Sequence, residues 1–240
     1  MSSPALDALL ALQDVDTDID RHRHRRDALP DKHEAAEVDR RIAVLDRDGA
    51  EVGATLAEIV AREEALEADL AATETRIAEV NRRLYGGQVA ASRELQAMAA
   101  DVEALQARQS NLEDRVLVVL DEREPHDHRL AALAAGRAGA ETRRGDLAVT
   151  IAGDEAEIDA EIAVLGEQRA ALVSEVPADL LATYEQIRSR LGGVGVARLV
   201  GSQCQGCFLT LPSGEVDRLR HLPTDAVVTC EDCGRILVVG

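Results

Sequence analysis

The chain has 240 residues and a formal net charge of -18, from 45 acids against 27 bases. With one Phe, two Tyr and no Trp, it lacks the aromatic residues that supply much of an ordinary globular core. Its acidity argues against broad phosphate binding, and no apolar run approaches the roughly 18 residues of a membrane span.

The opening "MSSPALDALLALQDVD" offers Ser3 as a helix cap and Pro4 at the first helical position. It carries no basic leader, so a cytoplasmic location is expected. Ala5, Ala8, Leu12, Val15 and Ile19 follow a three-four spacing. The pattern fades at His22 and Arg26, and Pro30 predicts a break or kink at Leu29-Pro30.

From Val38 to Leu84 the heptads are regular, with only Gly49, Glu63 and Thr73 off type. Such a strip buries itself only against another helix. "LYGGQVAAS" then predicts a turn near residues 85–92, with Gly86 and Gly87 supplying the permissive backbone and Ser92 a cap. A second strip starts at Leu95 and continues to Leu172, disturbed by Pro125 and with an expected stutter near 151–158. Two strips joined by a glycine turn predict an antiparallel helical hairpin over residues 1–175.

Folding about Gly86-Gly87 makes opposed positions total about 178. "RHRHRR" (Arg21 to Arg26) then lies beside the acidic Asp154 to Glu161. An interhelical charge seam is therefore expected there, ahead of a phosphate-contact site or a protein-docking face. His126 and His128 lack further close donors and read as surface residues.

Pro177 ends the second arm, and "ADLLATYEQIRSRLGG" predicts a short connecting helix within 176–193, with Tyr184 packing rather than catalytic. From residue 194 the grammar changes. "VGVARLV" and "RILVVG" read as strands, and between them stands Cys204-x2-Cys207-x22-Cys230-x2-Cys233. Two CxxC knuckles at this spacing specify a zinc ribbon over 194–240. Each knuckle puts two thiolates on one side of an ion, and the pair completes a tetrahedron. So small a module depends on its metal for folding. One structural Zn2+ on Cys204, Cys207, Cys230 and Cys233 is the expected cofactor. Four thiolates leave no position for an activated water, His221 is not needed, and no P-loop, GxSxG or HExxH is present.

The fold expected is mainly α, a long antiparallel coiled-coil hairpin followed by a small β-rich four-cysteine ribbon. The chain resembles a bacterial family with an N-terminal coiled-coil hairpin and a C-terminal C4-type zinc ribbon. The resemblance rests on "RLYGGQVAASRELQAMAADVEALQ", "NLEDRVLVVLDE", "VPADLLATYEQIR" and the final "CGRIL". Arg93 stands where that family commonly has Lys. The resemblance implies a non-enzymatic adaptor or chaperone-like protein, with relatives tied to a flagellar sigma factor, flagellar or secretion components, or messenger RNA. The expected partner is an unidentified protein, with the chain a monomer or weak homodimer. The alternative is a nucleic-acid-binding regulator using the ribbon and local basic patches.

Overall fold

A computed structural model describes residues 3–87 and 91–239. The elements are helices α1 (Pro4–Asp27), α2 (Pro30–Tyr85), α3 (Ser92–Val173) and α4 (Ala178–Arg190), then strands β1 (Val196–Val200) and β2 (Gln203–Cys204). Helix α5 (Ser213–Arg220) and strands β3 (Val228–Thr229) and β4 (Ile236–Val239) complete the chain. The sheet order is β2-β1-β4-β3, with β1 and β4 parallel and the outer pairs antiparallel. The chain therefore is mainly helical, with a small sheet region bearing the four cysteines.

Two compact units are present, one of residues 34–146 and one of residues up to 33 together with those from 147 on. Within the first, the heptad positions of α2 and α3 make the seam. Ile59, Leu66, Leu112 and Val119 form one cluster, and Val80, Met98 and Val102 another. Two of the three off-type positions, Glu63 and Thr73, are accommodated by polar partners. Glu63 is buried and receives the Arg123 guanidinium at 3.0 Å, while Thr73 Oγ1 donates to the Asp69 carbonyl at 2.8 Å. Gly87 sits at φ +70°, where a side chain would be strained. The remainder of the expected turn, residues 88–90, lies outside the described residues. Ser92 is the first residue of α3 rather than its cap, because the Ala91 carbonyl already accepts from the Glu94 and Leu95 amides.

Pro125 does not interrupt α3. It lies on the exposed side, while Arg123 and His126 take the half-buried positions that continue the strip. Near 151–158, half-buried Asp154 and Glu155 stand between Ile151 and Ile158, and Glu155 pairs with Arg26 and Lys32. In both places polar residues occupy positions of the strip that apolar spacing alone leaves blank.

The pairing also runs deeper than expected. Asp46 faces Arg137, Asp39 faces Arg144 and Glu74 faces Gln109, each pair totalling 183 rather than 178. Helical side chains lean toward the N-terminus of their own helix. In an antiparallel pair the two leans are opposed, so partners meet farther from the turn than their backbones suggest.

The second unit places α1 against α4 and the sheet. Leu6, Leu9, Leu10 and Leu12 share a core with Leu180, Tyr184 and Ile187 and with Val196, Ile236 and Val238. Helix α1 is thus buried on more than the strip read from its spacing. Gln13 fastens this packing: its Oε1 accepts from the Gly195 amide at 2.7 Å, and its Nε2 donates to the Gly193 carbonyl at 2.9 Å. The basic stretch meets the acidic one as expected. Arg26 pairs with Glu155 and Asp159, and His22 and Arg25 with Glu161. Arg21 and Arg23 pair with Asp18 and Asp20 on α1 itself.

Candidate metal centre

The cysteines come from the two edge strands of the small sheet, β2 and β3, and the turns that follow them. Cys204 ends β2 and pairs with Leu199 of β1, and Cys207 follows one turn later. Cys230 follows β3, and Cys233 precedes β4. The two knuckles repeat one backbone device. The Phe208 amide donates to the Cys204 carbonyl at 2.8 Å, and the Gly234 amide to the Cys230 carbonyl at 2.8 Å. A core of Ala197, Leu199, Leu211, Val216, Leu219 and Leu237 backs the cluster. Part of that core, Val216 and Leu219, comes from α5, a helix not expected from the sequence.

The four sulfurs lie within 4.8 Å of one another, and Cys207 and Cys230 are 4.0 Å apart. A tetrahedral site with Zn–S near 2.3 Å needs sulfur separations of about 3.8 Å. The donor set therefore suits one tetrahedral, thiophilic ion. Among the described residues, no histidine or carboxylate joins this group. His221 is exposed and its Nδ1 lies 2.7 Å from the Asp217 carbonyl, while His128 is exposed beside Glu124.

Protonation of the cluster is uneven. Burial pushes the Cys230 thiol up to about 12 and raises Cys204 as well. Burial also acts on Cys233, but hydrogen bonds from the Arg235 backbone and side chain and from the neighbouring thiols outweigh it and lower its pKa. Metal loading must displace the protons held on Cys204 and Cys230, so affinity rises with pH and falls on acidification. The expected slope is about tenfold in zinc affinity per pH unit for each proton released. Competition with a chromophoric chelator at several pH values measures it.

Glycines 206 and 234 serve different ends. A Cβ on Gly206 would lie 2.6 Å from Arg235 Cδ and 3.0 Å from Ala197 Cβ, so the constraint is the arginine passing over the knuckle rather than the sulfurs. Arg235 donates to the Val194 and Leu191 carbonyls, tying the second knuckle to the end of α4. Gly234 adopts φ +73°, and Phe208, its counterpart in the first knuckle, adopts φ +62°. An aromatic residue thus stands in a left-handed conformation that its twin assigns to glycine. Phe208 is also 67% exposed.

A profile of the CT398-like coiled coil hairpin domain matches residues 12–192. The chain belongs to the CT398-like coiled-coil hairpin family. A C4-type zinc ribbon domain follows at residues 203–237. The chain is 32% identical to a Mycobacterium tuberculosis protein named Uncharacterized protein Rv2229c, over 96% of this chain and 94% of that one. A solved Mycobacterium smegmatis structure aligns with TM-score 0.89 at 24% identity, covering 100% of both chains. CT398 from Chlamydia trachomatis aligns with TM-score 0.74 at 20% identity over 98% of each chain. The HP0958 protein of Helicobacter pylori gives 0.56 at 16% identity, over 99% of this chain and 98% of that one. At these identities the structures speak to the fold. Family and geometry agree on a coiled-coil chain with a four-cysteine ribbon module, consistent with a protein-interaction role. Among the described residues, no helix is long and apolar enough to cross a membrane.

The sequence reading missed two features. Asp16 is an acid inside the apolar spacing Leu12-Asp16-Ile19, and it is buried there against Tyr184, Arg169 and Arg188. That acid within an apolar strip was the available signal. Phe208 was the second, readable only by aligning the two knuckles residue by residue.

Proposed function

We propose that this chain is a non-enzymatic cytoplasmic adaptor whose ribbon, residues 194–240, is clamped by one Zn2+ on Cys204, Cys207, Cys230 and Cys233. The hairpin of residues 1–175, joined through 176–193, presents the ribbon and offers further docking surface. The reading rests above all on the closed all-cysteine donor group, which leaves an ion a structural and not a catalytic task. A reducing compartment keeps the four thiols free for metal.

Phe208 is the ribbon residue through which the adaptor acts. The left-handed backbone of a bulky L-residue costs about 1–2 kcal/mol, and such strain persists where function needs it. Leu209 and Val200, also exposed, lie on the same β1–β2 side of the sheet. An apolar side chain held outward beside a rigid knuckle suits a partner with an apolar pocket. Phe208→Gly is expected to stabilise the ribbon by about 1 kcal/mol while losing the bound protein in pull-downs. A pull-down that enriches no protein, or one unchanged by the substitution, would count against the reading.

The nucleic-acid alternative draws less support. The basic run Arg21 to Arg26 is largely occupied by carboxylates, and pairing with Asp159 and Glu155 raises the Arg26 pKa.

A further inference from the structure

Between Arg115 and Asp121, α3 carries Val116, Leu117, Val118, Val119 and Leu120 in succession. Five consecutive positions pass right round a helix, so one neighbouring helix cannot cover them all. Val116 and Val119 turn into the seam with Ile59, Leu66 and Leu112. Leu117, Val118 and Leu120 face away from it, 60%, 66% and 39% exposed. Among the described residues of the 34–146 unit, Val44 and Tyr85 are the other large apolar side chains so exposed, each apart from this cluster.

Beside Val118 runs a groove of about 430 Å³. Its floor is Ala65, Leu66 and Val119, and its rim carries Arg62, Asp69 and Arg115. Arg62 reaches Glu122 at 2.7 Å, whereas Asp69 and Arg115 make no ion pair among the described residues.

We propose that this face is the interface of a two-fold symmetric homodimer, with two copies packed antiparallel across the groove and Val118 of each meeting at the centre. The charges on the rim argue for a second copy as the occupant. Arg62 and Asp69 lie two turns apart on α2, about 10 Å, with small Ala65 between them. A two-fold axis midway between them sets Arg62 of each copy against Asp69 of the other, the reciprocal contact that such symmetry requires. The same axis must also suit α3, and it does. The hairpin pairs positions totalling about 183, as in Asp46–Arg137 and Glu74–Gln109. By that register, the point midway between Arg62 and Asp69 lies within about half a residue of Val118, the exposed apolar side chain that borders the groove. One axis therefore satisfies the charged pairs on α2 and sets Val118 of one copy against Val118 of the other.

Sedimentation velocity over a dilution series tests this directly on the full chain. The wild type is expected to shift between 25.7 kDa and twice that mass as concentration rises. Val118→Glu should remain monomeric throughout, with unchanged circular dichroism because the side chain is already exposed within one chain. Arg62→Glu or Asp69→Arg alone should weaken the dimer about tenfold, since each sets like charges together twice across the axis. The double substitution should restore it. A wild type that stays monomeric at every soluble concentration overturns the proposal and leaves the face to another kind of partner. A dimer indifferent to Val118→Glu, or a double variant no better than the singles, overturns it equally.

Discussion

Replacing Cys230 by serine is expected to abolish stoichiometric metal binding and to unfold residues 196–239, while helicity of Glu34–Asp146 survives. A structural zinc contributes about 10–16 kcal/mol to folding such modules, and loss of one thiolate forfeits most of that. Apart from Val196, Ile236 and Val238, which join the α1–α4 core, the ribbon has little to set against it. Its core is Ala197, Leu199, Leu211, Val216, Leu219 and Leu237 around the sulfurs themselves, and β2 and β3 are two residues each. Hydrogen exchange resolves the outcome by segment: protection lost from β1 to β4 and retained through the seam at Ile59, Leu66, Leu112 and Val119. A metal-free variant whose sheet stays protected would refute the structural role of the ion.

Asp16→Ala should carry the second large effect, about 3–5 kcal/mol, typical of leaving buried charges without their partner. The Asp16 side chain is 3% exposed and accepts from Tyr184 Oη at 2.7 Å and Arg169 Nε at 2.7 Å. Arg188 approaches the same carboxylate at 3.5 Å and pairs with Asp20. Burial, and then the bond to Asp16, push the Tyr184 phenol far above its usual range. Removing Asp16 strands the Tyr184 hydroxyl in the core and loosens α1 from α4. The chain has no Trp and its other described tyrosine, Tyr85, is exposed. Near-UV dichroism therefore reports mainly on Tyr184, and urea denaturation followed there gives the loss. A change below about 1 kcal/mol, the net worth of one ordinary hydrogen bond, would contradict the assignment.

The hairpin was legible because its information is local and periodic. Ile59, Leu66, Val80, Val102, Leu112 and Val119 recur at heptad spacing and end up buried in the seam. The knuckle cysteines were legible for a similar reason, since short spacing brings each pair together before any fold is known. What escaped depends on long-range packing. Leu9 and Leu10 meet Val196, Ile236 and Val238 from the far end of the chain, and no local pattern encodes those partners. Helix α5 escaped because "LPSGEVDRLRHL" is short, although Val216 and Leu219 have the three-residue spacing of a buried helical face. Polar residues of the strip such as Arg123 and Glu155 hid the continuity of α3 for a different reason. Hydrophobic periodicity cannot register an ion pair.

The most direct test of the account is X-ray absorption spectroscopy at the zinc edge, paired with elemental analysis of the purified chain. One zinc per chain with a shell of four sulfurs at about 2.3 Å is the predicted result. An oxygen or nitrogen replacing one sulfur would contradict it, because an open position would return the site to catalysis.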